Sequence, residues 1–218
     1  MGFLNALTNQ RAVLFCLALL CLVILGMPAA ASTADTVAGQ SAYAICASCH
    51  GARGEGNVAL NAPRLAGQAG WYLQRQIEAF QKGWRGTAPG DSLGMQMRPM
   101  AMAVGSAEAL DNLVAYIATL PDVLAEPTVT GDLAEGQAAY GVCAACHGAD
   151  GRGNEQLGGP RLAGQDDWYL VRQLQNYQQG LRAYHTRDVF GMQMKPMAAM
   201  LVGDKAVNDV VAYINSLR

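Results

Sequence analysis

The chain writes one unit twice. Cys46-Ala47-Ser48-Cys49-His50 recurs as Cys143-Ala144-Ala145-Cys146-His147, an offset of 97 residues. At the same offset Pro63-Arg64-Leu65-Ala66-Gly67-Gln68 returns as Pro160-Arg161-Leu162-Ala163-Gly164-Gln165. Trp71-Tyr72-Leu73 returns as Trp168-Tyr169-Leu170, and Gly94-Met95-Gln96-Met97 as Gly191-Met192-Gln193-Met194. Solenoid repeats run at ~20–50 residues, so a period this long marks a duplicated domain. Features kept in both copies belong first to the shared machinery.

Each copy reads as helices joined by loops rich in Gly and Pro. The spacing predicts a first helix from near Thr36 to Ala47, leading into the cysteines, with a counterpart from near Asp132. A second runs from about Gly70 to Lys82, with Trp71, Leu73, Ile77 and Phe80 on one face. Its counterpart starts at Asp166 or Asp167, either a fair N-cap, and stops at Gly180. A third runs from about Ser106 to Leu120, with Leu110, Leu113, Val114 and Ile117 inward, and its counterpart from Asp204 carries Val207, Val210, Val211 and Ile214. No stretch alternates with period two, so the expected fold class is all-α. Pro121 and Pro127 mark a linker, giving domains over 32–120 and 131–218 with residues 121–130 between them.

Residues 1–31 read as an export signal. A polar start ending in Arg11 precedes an apolar run of 15 residues, Ala12 to Gly26, and then the small-residue string Ala29-Ala30-Ala31-Ser32. The run is short of the ~20 residues that span a bilayer, which favours cleavage after Ala31 over an uncleaved anchor. Without the leader, Cys16 and Cys21 are gone and four cysteines remain, Cys46, Cys49, Cys143 and Cys146. All eight remaining methionines fall in two clusters, Met95, Met97, Met100, Met102 and Met192, Met194, Met197, Met200. Seventeen acidic residues against fifteen basic ones give a net charge of −2 and disfavour nucleic acid as a partner.

On a helix, Cys46, Cys49 and His50 stand at i, i+3 and i+4, on one face. That geometry suits covalent capture of haem: two sulfurs add to the vinyl groups along one porphyrin edge, and the imidazole ligates iron. C-x-x-C-H is the haem c attachment signature, and it occurs at matching positions in both copies. A disulfide framework gives no reason for a histidine after each pair. A zinc ribbon wants its knuckles ~15–20 residues apart, whereas 93 residues separate Cys49 from Cys143. A thioredoxin-like dithiol needs a βαβ setting that the helical pattern lacks.

Iron has a second axial position, and the methionine clusters offer a soft, neutral thioether that favours reduced iron. One methionine per haem can bind, so the choice in each cluster lies among Met97/Met194, Met95/Met192 and Met100/Met197, the remainder packing around the macrocycle. Pro63 and Pro160 lie thirteen residues after His50 and His147, and their carbonyls are candidates to accept from the other ring nitrogen of each histidine. Arg64, Arg161, Trp71 and Trp168 are candidates to reach haem propionates, against simple packing or exposure. His185 aligns with Ala88 in the first copy and reads as surface.

With two C-x-x-C-H sites, two Pro-Arg-Leu-Ala-Gly-Gln stretches and Met-x-x-Met before a final helix, the chain resembles the dihaem cytochrome c4 family over roughly Ala38 to Leu217. The resemblance implies two tandem class I cytochrome c domains related by an approximate twofold axis, each with one covalent haem c. In such domains the ligand opens a Met-x-Pro-Met-Ala stretch. That maps onto Met97 and Met194 here, although the Gly-Met-Gln-Met variant puts another methionine two residues before each. It further implies a periplasmic single-electron carrier between a quinol-oxidising complex and a terminal oxidase, not an enzyme. The alternatives are an electron-transfer subunit permanently docked on a membrane oxidase or dehydrogenase, which leaves room for peripheral association with a membrane, and a dihaem peroxidase-type enzyme. The last needs an iron with an open site, and matching methionine clusters argue against one.

Overall fold

The computed structural model describes residues 33–218. The expected leader over 1–31, with Cys16 and Cys21, lies outside the described residues. Among those described there are helices and loops but no strand, with only single bridges pairing Asn57 with Ala62 and Asn154 with Gly159. No helix among them is long and apolar enough to cross a membrane.

The first repeat holds α1 (Thr36–His50), a 3₁₀ turn (Val58–Leu60), α2 (Gly70–Gln81), α3 (Ser92–Ala103) and α4 (Ala107–Ile117). In the second, α5 (Leu133–Tyr140) and α6 (Ala144–His147) take the place of α1, followed by α7 (Asp167–Gln178), α8 (Val189–Ala199) and α9 (Gly203–Ser216). The starts are set chemically. The Asp35 carboxylate accepts from the N–H groups of Val37 and Ala38, and Asp132 accepts from those of Ala134 and Glu135. The second copy divides its first helix where Gly141 replaces Ala44, glycine being ~1 kcal/mol worse than alanine in a helix.

The first and last helices of each repeat cross closely, α1 on α4 and α5 on α9. Glycine makes the crossing possible: a Cβ on Gly39 would stand 2.0 Å from the Asn112 carbonyl oxygen, and one on Gly136 would stand 2.1 Å from that of Asp209. Around each crossing sits a core. In the first repeat it is Tyr43, Leu73, Leu113 and Ile117; in the second Tyr140, Leu170, Val207, Val210, Val211 and Ile214 are among its members. Full burial of such a side chain is worth ~1.5–3 kcal/mol. The two buried tyrosines also fix the residue after each histidine, Tyr43 donating to the Gly51 carbonyl at 2.7 Å and Tyr140 to that of Gly148 at 2.8 Å.

The sequence pattern predicts three helices per copy, and the structure has a further one over each methionine cluster. Pro99 and Pro196 sit inside α3 and α8, and these helices carry no clear apolar stripe, so neither the proline rule nor periodicity points to them. Asp91 and Asp188 start them, accepting from the N–H groups of Gly94 and Gly191.

The repeats meet through paired contacts. Gln68 Nε2 donates to the Arg161 carbonyl at 3.0 Å, and Gln165 Nε2 to the Arg64 carbonyl at 3.3 Å. Arg64 Nη1 donates to the Gly164 carbonyl at 2.9 Å, and Arg161 Nη1 to that of Gly67 at 2.7 Å. Each contact has its image with the repeats exchanged, as in an isologous interface, so the two units are related by an approximate twofold axis. One carboxylate breaks the symmetry: Asp122 pairs with both Arg64, at 3.1 Å, and Arg161, at 2.7 Å. Further along the chain between α4 and α5, Thr128 and Val129 are held by Asp167, whose carboxylate accepts from Thr128 N, Thr128 Oγ1 and Val129 N.

Candidate haem sites

The C-terminal end of α1 carries Cys46, Cys49 and His50 on one face, and α6 carries Cys146 and His147 with Cys143 at its start. In both copies the first cysteine is half-buried, the second exposed and the histidine buried. No disulfide joins the four sulfurs. His50 Nδ1 lies 2.6 Å from the Pro63 carbonyl oxygen, and His147 Nδ1 lies 2.8 Å from that of Pro160. A ring that donates from Nδ1 presents Nε2 as a lone pair, the form that ligates a metal. Burial pushes both imidazoles below their ordinary pKa, against the opposing effect of the proline carbonyls.

In the second repeat these groups open onto a cavity of about 1270 Å³, its mouth included, lined by Cys143, Cys146, His147, Met194 and Met197 together with apolar side chains such as Leu201. Within each methionine cluster one member is half-buried, Met97 in α3 and Met194 in α8. The other six are exposed, Met95 at 55% and Met192 at 42% among them.

The cavity fits a macrocycle that is apolar on its faces and anionic at one edge. Arg75, Arg161 and Arg182 line it, with Asp188 as an acidic neighbour. The Nε atoms of Arg75 and Arg182 are buried without a hydrogen-bond partner among the described residues. A buried guanidinium nitrogen without a partner is costly unless an anion meets it, and haem propionates would supply carboxylates.

The other sequence candidates fall differently. Arg64 is buried with its guanidinium between the domains, donating to the carbonyls of Gly164 and Val123 and leaving Nε unpartnered. Arg161 lines the cavity edge while pairing with Asp122. Trp71 and Trp168 are half-buried under the guanidinium groups of Arg75, at 4.8 Å, and Arg172, at 5.0 Å. Tyr169, beside Trp168, lines the cavity, and so do Tyr72, Arg75 and Gln76 from the other repeat. Motif reading passes over these four. Their signal is the recurrence of Tyr72 as Tyr169, Arg75 as Arg172 and Gln76 as Gln173. His185 is half-exposed and accepts from the Arg187 N–H through its own ring nitrogen.

The family model of cytochrome c matches the chain twice, over residues 36–121 and 133–218. Cytochrome c4 of Azotobacter vinelandii is 34% identical over 212 residues, covering 91% of this chain and 96% of that protein. The chain belongs to the cytochrome c4 family. The crystal structure of reduced recombinant cytochrome c4 from Pseudomonas stutzeri superposes with a TM-score of 0.64 at 27% identity, covering 85% of this chain and all of that one. A protein of Stutzerimonas stutzeri named thiosulfate dehydrogenase electron acceptor is 32% identical over 181 residues, covering 77% of this chain and 76% of that protein. As a member of the cytochrome c4 family, the chain is a dihaem electron carrier, with one haem c attached covalently at Cys46 and Cys49 and the other at Cys143 and Cys146.

Proposed function

We propose that the protein is a periplasmic single-electron carrier that takes electrons from a quinol-oxidising complex and passes them to a terminal oxidase. The haem supplies the redox chemistry, cycling iron between two oxidation states that differ by one electron. In this reading His50 and Met97 hold one iron and His147 and Met194 the other, within domains joined through residues 121–130. The observation that carries it is the duplicated pair at both sites, a buried histidine on a proline carbonyl and one half-buried methionine per cluster. With a histidine and a methionine to hold each iron, the same residues would serve in both oxidation states, so little rearrangement would accompany transfer and no position would stand open to a substrate, which favours a carrier over a peroxidase-type enzyme.

Docking has a surface to use. Ile45, Leu60 and Met100 are exposed in the first repeat, and their equivalents Val142, Leu157 and Met197 are exposed in the second. Val142, Leu157 and Met197 also line the second cavity, so the rim of that site is apolar and open to a partner. A second reading, favoured by the similarity to a thiosulfate dehydrogenase electron acceptor, places a dehydrogenase upstream. Stopped-flow reduction of the holoprotein separates them. Rapid, saturable reduction by a quinol-oxidising complex and oxidation by a terminal oxidase supports the first. Reduction by thiosulfate dehydrogenase alone supports the second.

A further inference from the structure

The second haem cavity is completed from outside its own domain. Gln68, Tyr72, Arg75 and Gln76, all of the N-terminal domain, form part of its lining. Among them Arg75 is the charged one, and it is held on several sides. Its guanidinium lies 4.0 Å from the centre of the Phe190 ring, with Trp71 at 4.8 Å and Tyr72 at 5.4 Å. Its Nη2 donates to the Gly158 carbonyl at 2.6 Å. Its Nε is buried without a partner among the described residues, and no carboxylate lies within ion-pair distance of its guanidinium.

The twofold image of this arrangement is weaker. Arg172, the equivalent of Arg75, bonds to Asn61 through its carbonyl, at 3.4 Å, and its side chain, at 2.5 Å, where contact with solvent remains. It lies over Trp168, and the position of Phe190 is taken in the first repeat by Leu93, which has no ring to offer.

We propose that Arg75 of the N-terminal domain is a positioning and charge-setting residue for the C-terminal haem, raising its reduction potential through the domain interface. Reduction adds one electron to the haem and lowers its charge by one. A fixed cation at the cavity edge stabilises that added negative charge, and screening is reduced where the half-buried guanidinium lies against three rings. Docking of the two domains thereby becomes part of the C-terminal redox site. The inference rests on the dihaem carrier reading, but both haems titrate whether or not Arg75 acts, so the two stand or fall separately.

The test is a stepwise redox titration of the full holoprotein by NMR, each haem followed through ring-methyl resonances assigned by contacts to its own domain. Arg75→Gln is expected to move the C-terminal midpoint to lower potential and leave the N-terminal one in place. Arg75→Lys, which keeps the charge, is expected to recover most of the shift. Phe190→Leu, which installs the residue of the other repeat and keeps Arg75, is expected to give a smaller shift in the same direction. Arg172→Gln is expected to move the N-terminal midpoint by less than Arg75→Gln moves the C-terminal one. An unchanged C-terminal midpoint in Arg75→Gln, equal movement of both haems, or identical shifts in the Gln and Lys variants would overturn the proposal.

Discussion

Arg64 and Asp122 form a 3.1 Å ion pair in which the arginine side chain is 2% exposed and the aspartate 37%. The arginine belongs to the first repeat, and the aspartate follows α4 and also holds Arg161 of the second repeat. One carboxylate thus ties both halves of a nearly symmetric interface. Asp122→Asn removes the charge that faces two guanidinium groups, one of them buried. The expected loss is about 1–3 kcal/mol of stability, discounted toward the lower figure because Asp122 itself meets solvent. Denaturant unfolding of the holoprotein measures it, and an unchanged midpoint would remove Asp122 from its role.

The glycines at the helix crossings give a sharper steric expectation. A methyl group at Gly39 or Gly136 meets a carbonyl oxygen at 2.0 or 2.1 Å, backbone that cannot turn aside. Gly39→Ala and Gly136→Ala are each expected to destabilise by at least ~1–3 kcal/mol, the usual cost of overpacking. Thermal unfolding is the readout, and Gly105→Ala is the comparison for strain without a clash, since its φ is +80° and nothing lies within 4 Å.

Much of this architecture was legible in the residues. Leu110, Leu113 and Ile117 sit at helical spacing because one face of α4 must be buried, and all three are buried. Asp132 and Ser106 start helices near where the pattern begins them, because their side-chain oxygens reach N–H groups that a helix cannot satisfy itself. The helices over the methionines were not legible, because Pro99 and Pro196 argue against them locally while capping and tertiary contacts hold them. Arg64 shows a different limit. Its position beside Pro63 points toward the haem, yet its guanidinium crosses to Gly164, a contact between residues 100 apart in the chain that spacing within one repeat cannot reveal. Arg75 meets the same limit, since the cavity it lines holds Cys143, Cys146 and His147 of the other repeat.

Asp167 makes the anchoring of Thr128 and Val129 sensitive to acid. Burial would raise its pKa, but the hydrogen bonds from Val129, Thr128 and Trp168 together outweigh burial and hold it below the ordinary carboxylate value. A depressed pKa adds stability that is present above the unfolded value, ~3.9, and is lost as pH falls through the lower folded one. Asp167→Asn is therefore expected to be less stable than the parent by a constant amount above about pH 5, with the gap closing below about pH 4. Urea unfolding across this range checks it; a gap that persists in acid would assign the loss to packing.

The methionine assignment has its own test. Met97→Ala and Met194→Ala are each expected to disturb the spectrum of one haem and lower its midpoint, since a neutral thioether favours reduced iron. Met100→Ala and Met197→Ala are expected to leave both low-spin spectra in place. Loss of a low-spin signature in the second pair alone would move the ligand three residues along the same helix face.

The central claim, two covalent haems that carry single electrons without changing ligands, is tested most directly by a potentiometric titration of the holoprotein followed in the visible spectrum. The expected result is two one-electron steps, with both irons six-coordinate and low-spin in the oxidised and reduced forms. A single one-electron step, or five-coordinate high-spin iron at either site, would contradict it.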